Sequence, residues 1–233
     1  MRQPASTFLA LALFATALGC NQKEKDPGPA KANLEQLIGP ARTLEQTFQR
    51  VNAQLPKLEP APCSDLTIRS AIAKSQSRKV PFIDAAALAF TLRGDSIDPN
   101  LPFGQFVSKV LLKRRPTRAV GDQKTATDAA FDAVKLTKEH DFMAAIEYDF
   151  RAPKADAKGF HGGEVKGTLA LFELRSGKLL CAAPVVAQSH EEIAAKPGQT
   201  PQQAADKDLE LEARRALEEA FAGMTHELNL DLG

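Results

Sequence analysis

The hydrophobic period of this chain changes at Phe142 and changes back after Thr200, and those changes limit the folds open to it. Before Phe142, apolar residues recur by three and four. From there to Ala187 they recur by two. In the first part Leu34, Leu37, Ala41, Leu44, Phe48, Val51 and Leu55 mark one face of a helix. Gly39-Pro40 interrupts the stripe, which predicts either two short helices or one kinked helix. So short a run, broken in this way, reads as an ordinary amphipathic helix on its own domain rather than a coiled coil. Asp65 to Ser75 is expected to be a short helix capped by Ser64 or Asp65. Pro81 to Leu92 reads as a buried helix that begins at proline and is stopped by Gly94. Phe103, Phe106, Val107, Val110 and Leu111 form another helical stripe ending before Pro116, and Ala126 to Leu136 a further helix.

From Phe142 the pattern is that of strands. Phe142, Ala144, Ile146, Tyr148 and Phe150 alternate with Met143, Ala145, Glu147, Asp149 and Arg151, giving one apolar and one increasingly polar face. Val165 to Leu174 is apolar on both faces, with Leu169 and Leu171 on one and Ala170 and Phe172 on the other. It must therefore be central and covered twice. Arg175-Ser176-Gly177-Lys178 is a turn, with the glycine for a positive φ. Leu179 to Ala187 is a third strand that Pro184 confines to an edge or ends. Thr200-Pro201-Gln202-Gln203 resembles a capping box, opening a helix that buries Leu209, Ala213, Leu217, Ala220, Phe221 and Met224 and pairs Glu210 with Arg214. The expected class is α+β: N-terminal helices, a three-stranded antiparallel meander and a C-terminal helix.

The N-terminus carries a resemblance. Arg2 is followed by an apolar run from Phe8 to Leu18, too short for a permanent membrane helix, and then by Ala17-Leu18-Gly19-Cys20. This segment resembles the signal peptide and lipobox of bacterial lipoproteins. The resemblance implies removal of residues 1–19, acylation of Cys20 by diacylglyceryl and palmitate-type chains, and membrane anchoring in the cell envelope. Asn21 is not the aspartate that retains some such proteins at the inner membrane, so the outer membrane is expected. Ala15-Thr16-Ala17 offers ordinary signal peptidase a rival site. Residues 20–32, with Pro27, Gly28 and Pro29, read as a tether, and 33–233 as a single α+β domain. Three cysteines are an odd number for an oxidising compartment. If Cys20 carries lipid, Cys63 and Cys181 are left either to form a disulfide or to stay separate thiols.

Composition narrows function by exclusion. Lys and Arg number 30 against 29 acids, and Arg2 leaves with the leader, so bulk charge argues against nucleic acid. With no Trp and one Tyr, carbohydrate platforms and peptide grooves are disfavoured.

The chemical candidates are few. His140, His161, His190 and His226 lack ligands at helical spacing and no H-E-x-x-H occurs, so no metal site and no cofactor is expected. His161-Gly162-Gly163-Glu164 puts an imidazole and a carboxylate on a glycine-rich loop. Glu147 and Asp149 share a strand face about 6–7 Å apart, as paired acids do in glycosidases, with Arg151 beside them to keep both ionised. Solvated loops and an open sheet face explain both groups equally. Asp95 to Asn100 has oxygen ligands without calcium-loop spacing and reads as a turn. Lys109, Lys113, Arg114, Arg115 and Arg118 form the densest basic run. Such a run complements a helix C-terminus, or docks on anionic headgroups, where Lys113, Arg114, Arg115 and Arg118 would be the contacts.

The expectation is a lipid-anchored, non-enzymatic binding or accessory module with an envelope protein or ligand as partner. Two alternatives stand beside it: a periplasmic hydrolase with a site near His161, Glu164, Glu147 and Asp149, and a structural subunit of an envelope complex.

Overall fold

The computed structural model describes residues 29–63, 66–75, 77–93, 131, 133–156, 159–190 and 193–232. Helix α1 (Pro29–Gln54) runs into a 3-10 turn (Leu55–Lys57) and is followed by α2 (Leu66–Ala73), strand β1 (Lys79–Asp84) and α3 (Ala85–Arg93). After α4 (133–139) come β2 (Phe142–Arg151), the short hairpin β3 (Lys154–Asp156) and β4 (Gly159–His161), β5 (Glu164–Glu173), β6 (Leu179–Gln188), α5 (Pro201–Met224) and β7 (Asn229–Asp231).

The chain is a mixed α+β structure, and its main sheet has five strands in the order β6-β5-β2-β1-β7 rather than three. The three expected strands are there as the antiparallel set β2-β5-β6, but β3 and β4 intervene between β2 and β5. The added strands β1 and β7 pair in parallel. Part of Pro81–Leu92 is therefore strand, and the helix begins only at Ala85. Val80-Pro81-Phe82-Ile83 has no polar residue to show a period of two, because both faces of β1 are covered; such runs are ambiguous by periodicity. Pro81 lies where β1 changes partners, from β7 over Lys79 to Pro81 to β2 over Phe82 to Asp84. A missing N–H interrupts the ladder least at such a place.

Two apolar layers hold the sheet. On one face Leu209, Ala213, Leu217 and Phe221 of α5, with Ile72 of α2, pack on Ile146, Leu169, Leu171 and Val185. On the other, Leu44, Phe48 and Val51 of α1, Leu88 of α3 and Leu136 of α4 pack on Met143, Ala145, Ala170 and Phe172. Strand β5 is thus covered twice, as its sequence requires. The face of β2 expected to be polar is buried at Met143 and Ala145 and opens only from Glu147 onward.

Helix α1 starts at Pro29, inside the expected tether, and continues through Gly39-Pro40 without a break. It also holds the β5–β6 turn. Arg50 Nη1 donates to Ser176 O at 2.7 Å, Gln54 Nε2 to Gly177 O at 2.8 Å, and Gly177 has φ +68°. The capping box at Thr200 is complete, with both Thr200 and Gln203 side chains accepting backbone N–H groups. On α5 the ion pairs are Lys207–Glu210, Arg215–Glu212 and Arg214–Glu218, not Glu210–Arg214. The stripe at Phe103 to Leu111 lies outside the described residues, as does most of Ala126 to Leu136; α4 extends past Leu136 to Glu139.

Cys63 and Cys181 are joined by a disulfide, their Cα atoms 5.0 Å apart. It ties the strip after α1 to β6, where Ala61 and Ala182 exchange two backbone hydrogen bonds of 2.8 Å. Ala182 sends its N–H outward to Ala61, so Pro184, two residues on, turns a position without an N–H to the same edge. Pairing beyond Ala61 is thereby blocked. The bond closes a loop with a sequence separation of 118. Replacing both cysteines by alanine is expected to lower stability by about 2–5 kcal/mol, measured by urea unfolding of the oxidised protein and the variant.

Candidate functional site

Strands β1 and β2 lie side by side in parallel, and β1 ends in α3 without a connecting loop. The carboxyl ends of parallel strands are where ligands gather in open sheets. Here that end is acidic. Asp84, the last residue of β1, caps α3: its Oδ1 accepts the Ala87 N–H at 2.6 Å. The side chain is fully buried, and Oδ2 has no hydrogen-bond partner among the described residues. Burial pushes the carboxyl above its ordinary range. The backbone N–H groups of Ala87 and Ala86 oppose that shift, and the Glu147 charge adds to it.

Glu147 and Asp149 face one way on β2, and Tyr148 between them faces the other, against the α5 layer. Burial raises Glu147, and Asp149 raises it further. Tyr148 is held well above the usual phenol range by burial first, then by the charges of Asp84 and Glu147. Glu147 and Asp149 line a cleft of about 190 Å³ with Leu55, Pro56 and Leu58 on one side and Lys166 and Thr168 on the other.

Arg151, expected to favour ionisation of both carboxylates, has its ion pair elsewhere. Arg151 turns to Glu164 at 3.8 Å, and Lys166 Nζ meets the same carboxylate at 2.7 Å. Glu164 is held below its usual range, chiefly by the hydrogen bond from Lys166. Glu147, without such a cation, moves the other way. Chemically, Asp84 and Glu147 are carboxyls biased toward keeping a proton, suited to donating a hydrogen bond or to facing a cation.

The four residues of the hydrolase reading do not meet as a set. Glu147 lies opposite Thr168 and Glu164 opposite Arg151, four residues or about 13 Å along the ladder. His161 is at the end of β4, opposite Lys154. The glycines after it do not form a flexible loop. A Cβ on Gly163 would stand 2.6 Å from Leu209 Cδ2 and 2.7 Å from Pro153 Cδ, and its N–H donates to Ser189 Oγ at 3.1 Å. Close packing, rather than mobility, is what that glycine serves. Among the described residues no group of three or more His, Cys, Asp or Glu side chains is arranged to hold a metal.

One pair was not foreseen. His190, just past β6, is held by Asp208 of α5, which accepts the backbone N–H with Oδ2 and faces Nδ1 with Oδ1, both at 2.8 Å. Asp208 raises the imidazole pKa by hydrogen bond and by charge. No local spacing signals this contact, because it bridges two elements. Buried His140 instead has Nδ1 at 2.9 Å from Lys79 O, and His226 borders a cleft beside Cys63 and Arg69. Cys20, Asp95 to Asn100 and the basic run Lys109, Lys113, Arg114, Arg115 and Arg118 lie outside the described residues.

No family model matches the chain, and comparison with curated proteins and with solved structures gives no match.

Two predictions follow from these titrations. The folded state holds Asp84 above its ordinary pKa, so it binds the extra proton, and stability falls as pH rises from about 4 through the folded value. Asp84→Asn keeps an acceptor for the cap and cannot ionise. It is expected to be more stable than the parent at pH 7, with the gain shrinking toward pH 4; an equal effect at both pH values in urea melts would mean that charge is not the cause. His190 is raised in the fold, so its pairing stabilises fully below the free imidazole value of about 6.5 and is lost as pH climbs through the folded value. His190→Ala should therefore lower Tm more at pH 6 than at pH 9.

Proposed function

We propose that the chain is a cell-envelope lipoprotein that acts as a non-enzymatic binding or accessory module, anchored through acylated Cys20. The observation that carries this reading is the Cys63–Cys181 disulfide. With those two joined, Cys20 is the single cysteine left over, which is what a lipidated first residue in an oxidising compartment leaves. No described helix is long and apolar enough to cross a membrane, so the reading assigns anchoring to lipid.

A binding role is preferred to the hydrolase because Glu147 and Glu164, two of the four residues that reading needs, stand about 13 Å apart along the ladder. The structural-subunit reading draws less support. Among the described residues, the exposed large apolar side chains Leu66, Phe150, Val186 and Leu211 belong to four different elements, and Phe131 stands before α4. In this proposal the partner is an envelope protein or a small ligand, and nucleic acid has no part.

Metabolic labelling with an alkyne palmitate analogue tests the anchor. The parent chain should be labelled and sediment with membranes, and Cys20→Ala should lose both properties. An intact mass without acyl groups, with cleavage after Ala17, would overturn the reading. Purification through a C-terminal tag in mild detergent then tests the accessory role by whether a stoichiometric protein accompanies the chain.

A further inference from the structure

We infer that the chain carries a binding site for a single-chain amphiphile with a carboxylate head, in the cavity between α1, α4 and the end of β5. The cavity measures about 390 Å³. Leu44 of α1, Leu174 just past β5 and Pro40 supply apolar surface. Leu44 and Leu174 are also buried members of the α1 layer, so the floor of the cavity is the domain core itself.

The polar lining has one sign. Among the described residues Lys138 and Arg175 border the cavity and no carboxylate does. Both are exposed, and neither has an ion-pair partner among the described residues. Glu139, next to Lys138 on α4, is paired with Lys135 at 3.9 Å.

The three threonines that complete the lining are not free donors. Thr43 donates to Gly39 O at 3.0 Å, Thr47 has Thr43 O at 3.1 Å and Arg175 O at 3.3 Å, and Thr137 has Ala133 O at 3.0 Å. Donors to a ligand head are thus left to an ammonium and a guanidinium. The guanidinium fork suits a carboxylate in particular, because it can give two parallel hydrogen bonds. An apolar floor under two unpaired cations calls for an occupant with an aliphatic chain and one anionic end. A fatty acid has that shape, and a neutral lipid or a cationic amphiphile does not.

This inference does not rest on the lipid anchor, and it concerns a different part of the sheet from the acidic cleft at Glu147. It is tested on the full chain, in whichever cell fraction holds it, with a diazirine-bearing palmitic acid and the corresponding alcohol. Light-induced labelling by the acid should map to peptides containing Thr137–Lys138 or Leu174–Arg175, at about tenfold the yield of the alcohol. The double variant Lys138→Gln/Arg175→Gln should reduce the acid to the alcohol's level while its melting curve stays that of the parent, as expected for two exposed, unpaired side chains. Equal labelling by acid and alcohol, labelling confined to other peptides, an unaffected double variant, or no labelling would each overturn the site. None of these outcomes depends on whether Cys20 is acylated.

Discussion

From Leu169 to Phe172, strand β5 has no face that can meet water, and the architecture follows from that. Leu169 and Leu171 point one way and Ala170 and Phe172 the other, all fully buried. A strand of this kind needs neighbours on both edges and a helical layer on both faces. Strands β2 and β6 supply the edges, α5 with α2 one layer, and α1, α3 and α4 the other. At about 25 cal/mol per Å² of apolar surface, leaving either layer off would expose far more area than a domain of this size can spare from its net stability.

The sheet edge at β6 is then secured locally. Ala61 adds one bridge to it, the disulfide fixes that bridge covalently, and Pro184 supplies no N–H beyond it. An edge so treated resists pairing with another chain. The same disulfide accounts for two of the three cysteines and leaves Cys20, on which the proposed anchoring rests, as the third. Toward the end of β2 the α1 layer stops, and the sheet becomes polar at Glu147, Asp149 and Arg151. What happens to the charges there is decided by neighbours across strands. Arg151 and Lys166 are drawn to Glu164, and Glu147 is left beside Asp149 and near Asp84.

Much of the fold was legible in the sequence where the pattern was local. The alternation beginning at Phe142, the two-faced run of β5, the Gly177 turn and the Thr200 capping box each rest on residues within one or two turns of one another, and each is found. The helix of α1 was legible too, although Pro40 suggested a break; one proline in a helix of 26 residues, its apolar stripe held against the sheet, is tolerated. β1 and β7 were not legible. Their partners are distant in sequence, and Val80 to Ile83 carries no polar residue to reveal its period.

The candidate site was legible only as an inventory. Glu147 and Asp149 share a face, as strand geometry requires, but the fate of Arg151 depended on Glu164 arriving opposite it on β5. The His190–Asp208 pair and the cavity flanked by Lys138 and Arg175 each join elements far apart along the chain. By itself the sequence determined the kinds of element, the two-sided burial of β5 and the residue types available for chemistry, because periodicity and capping act over a few residues. Only the tertiary structure decided which charges pair, which carboxyl is buried with one oxygen unpartnered among the described residues, and where a cavity remains. Those outcomes depend on distances across the sheet, which no local spacing encodes.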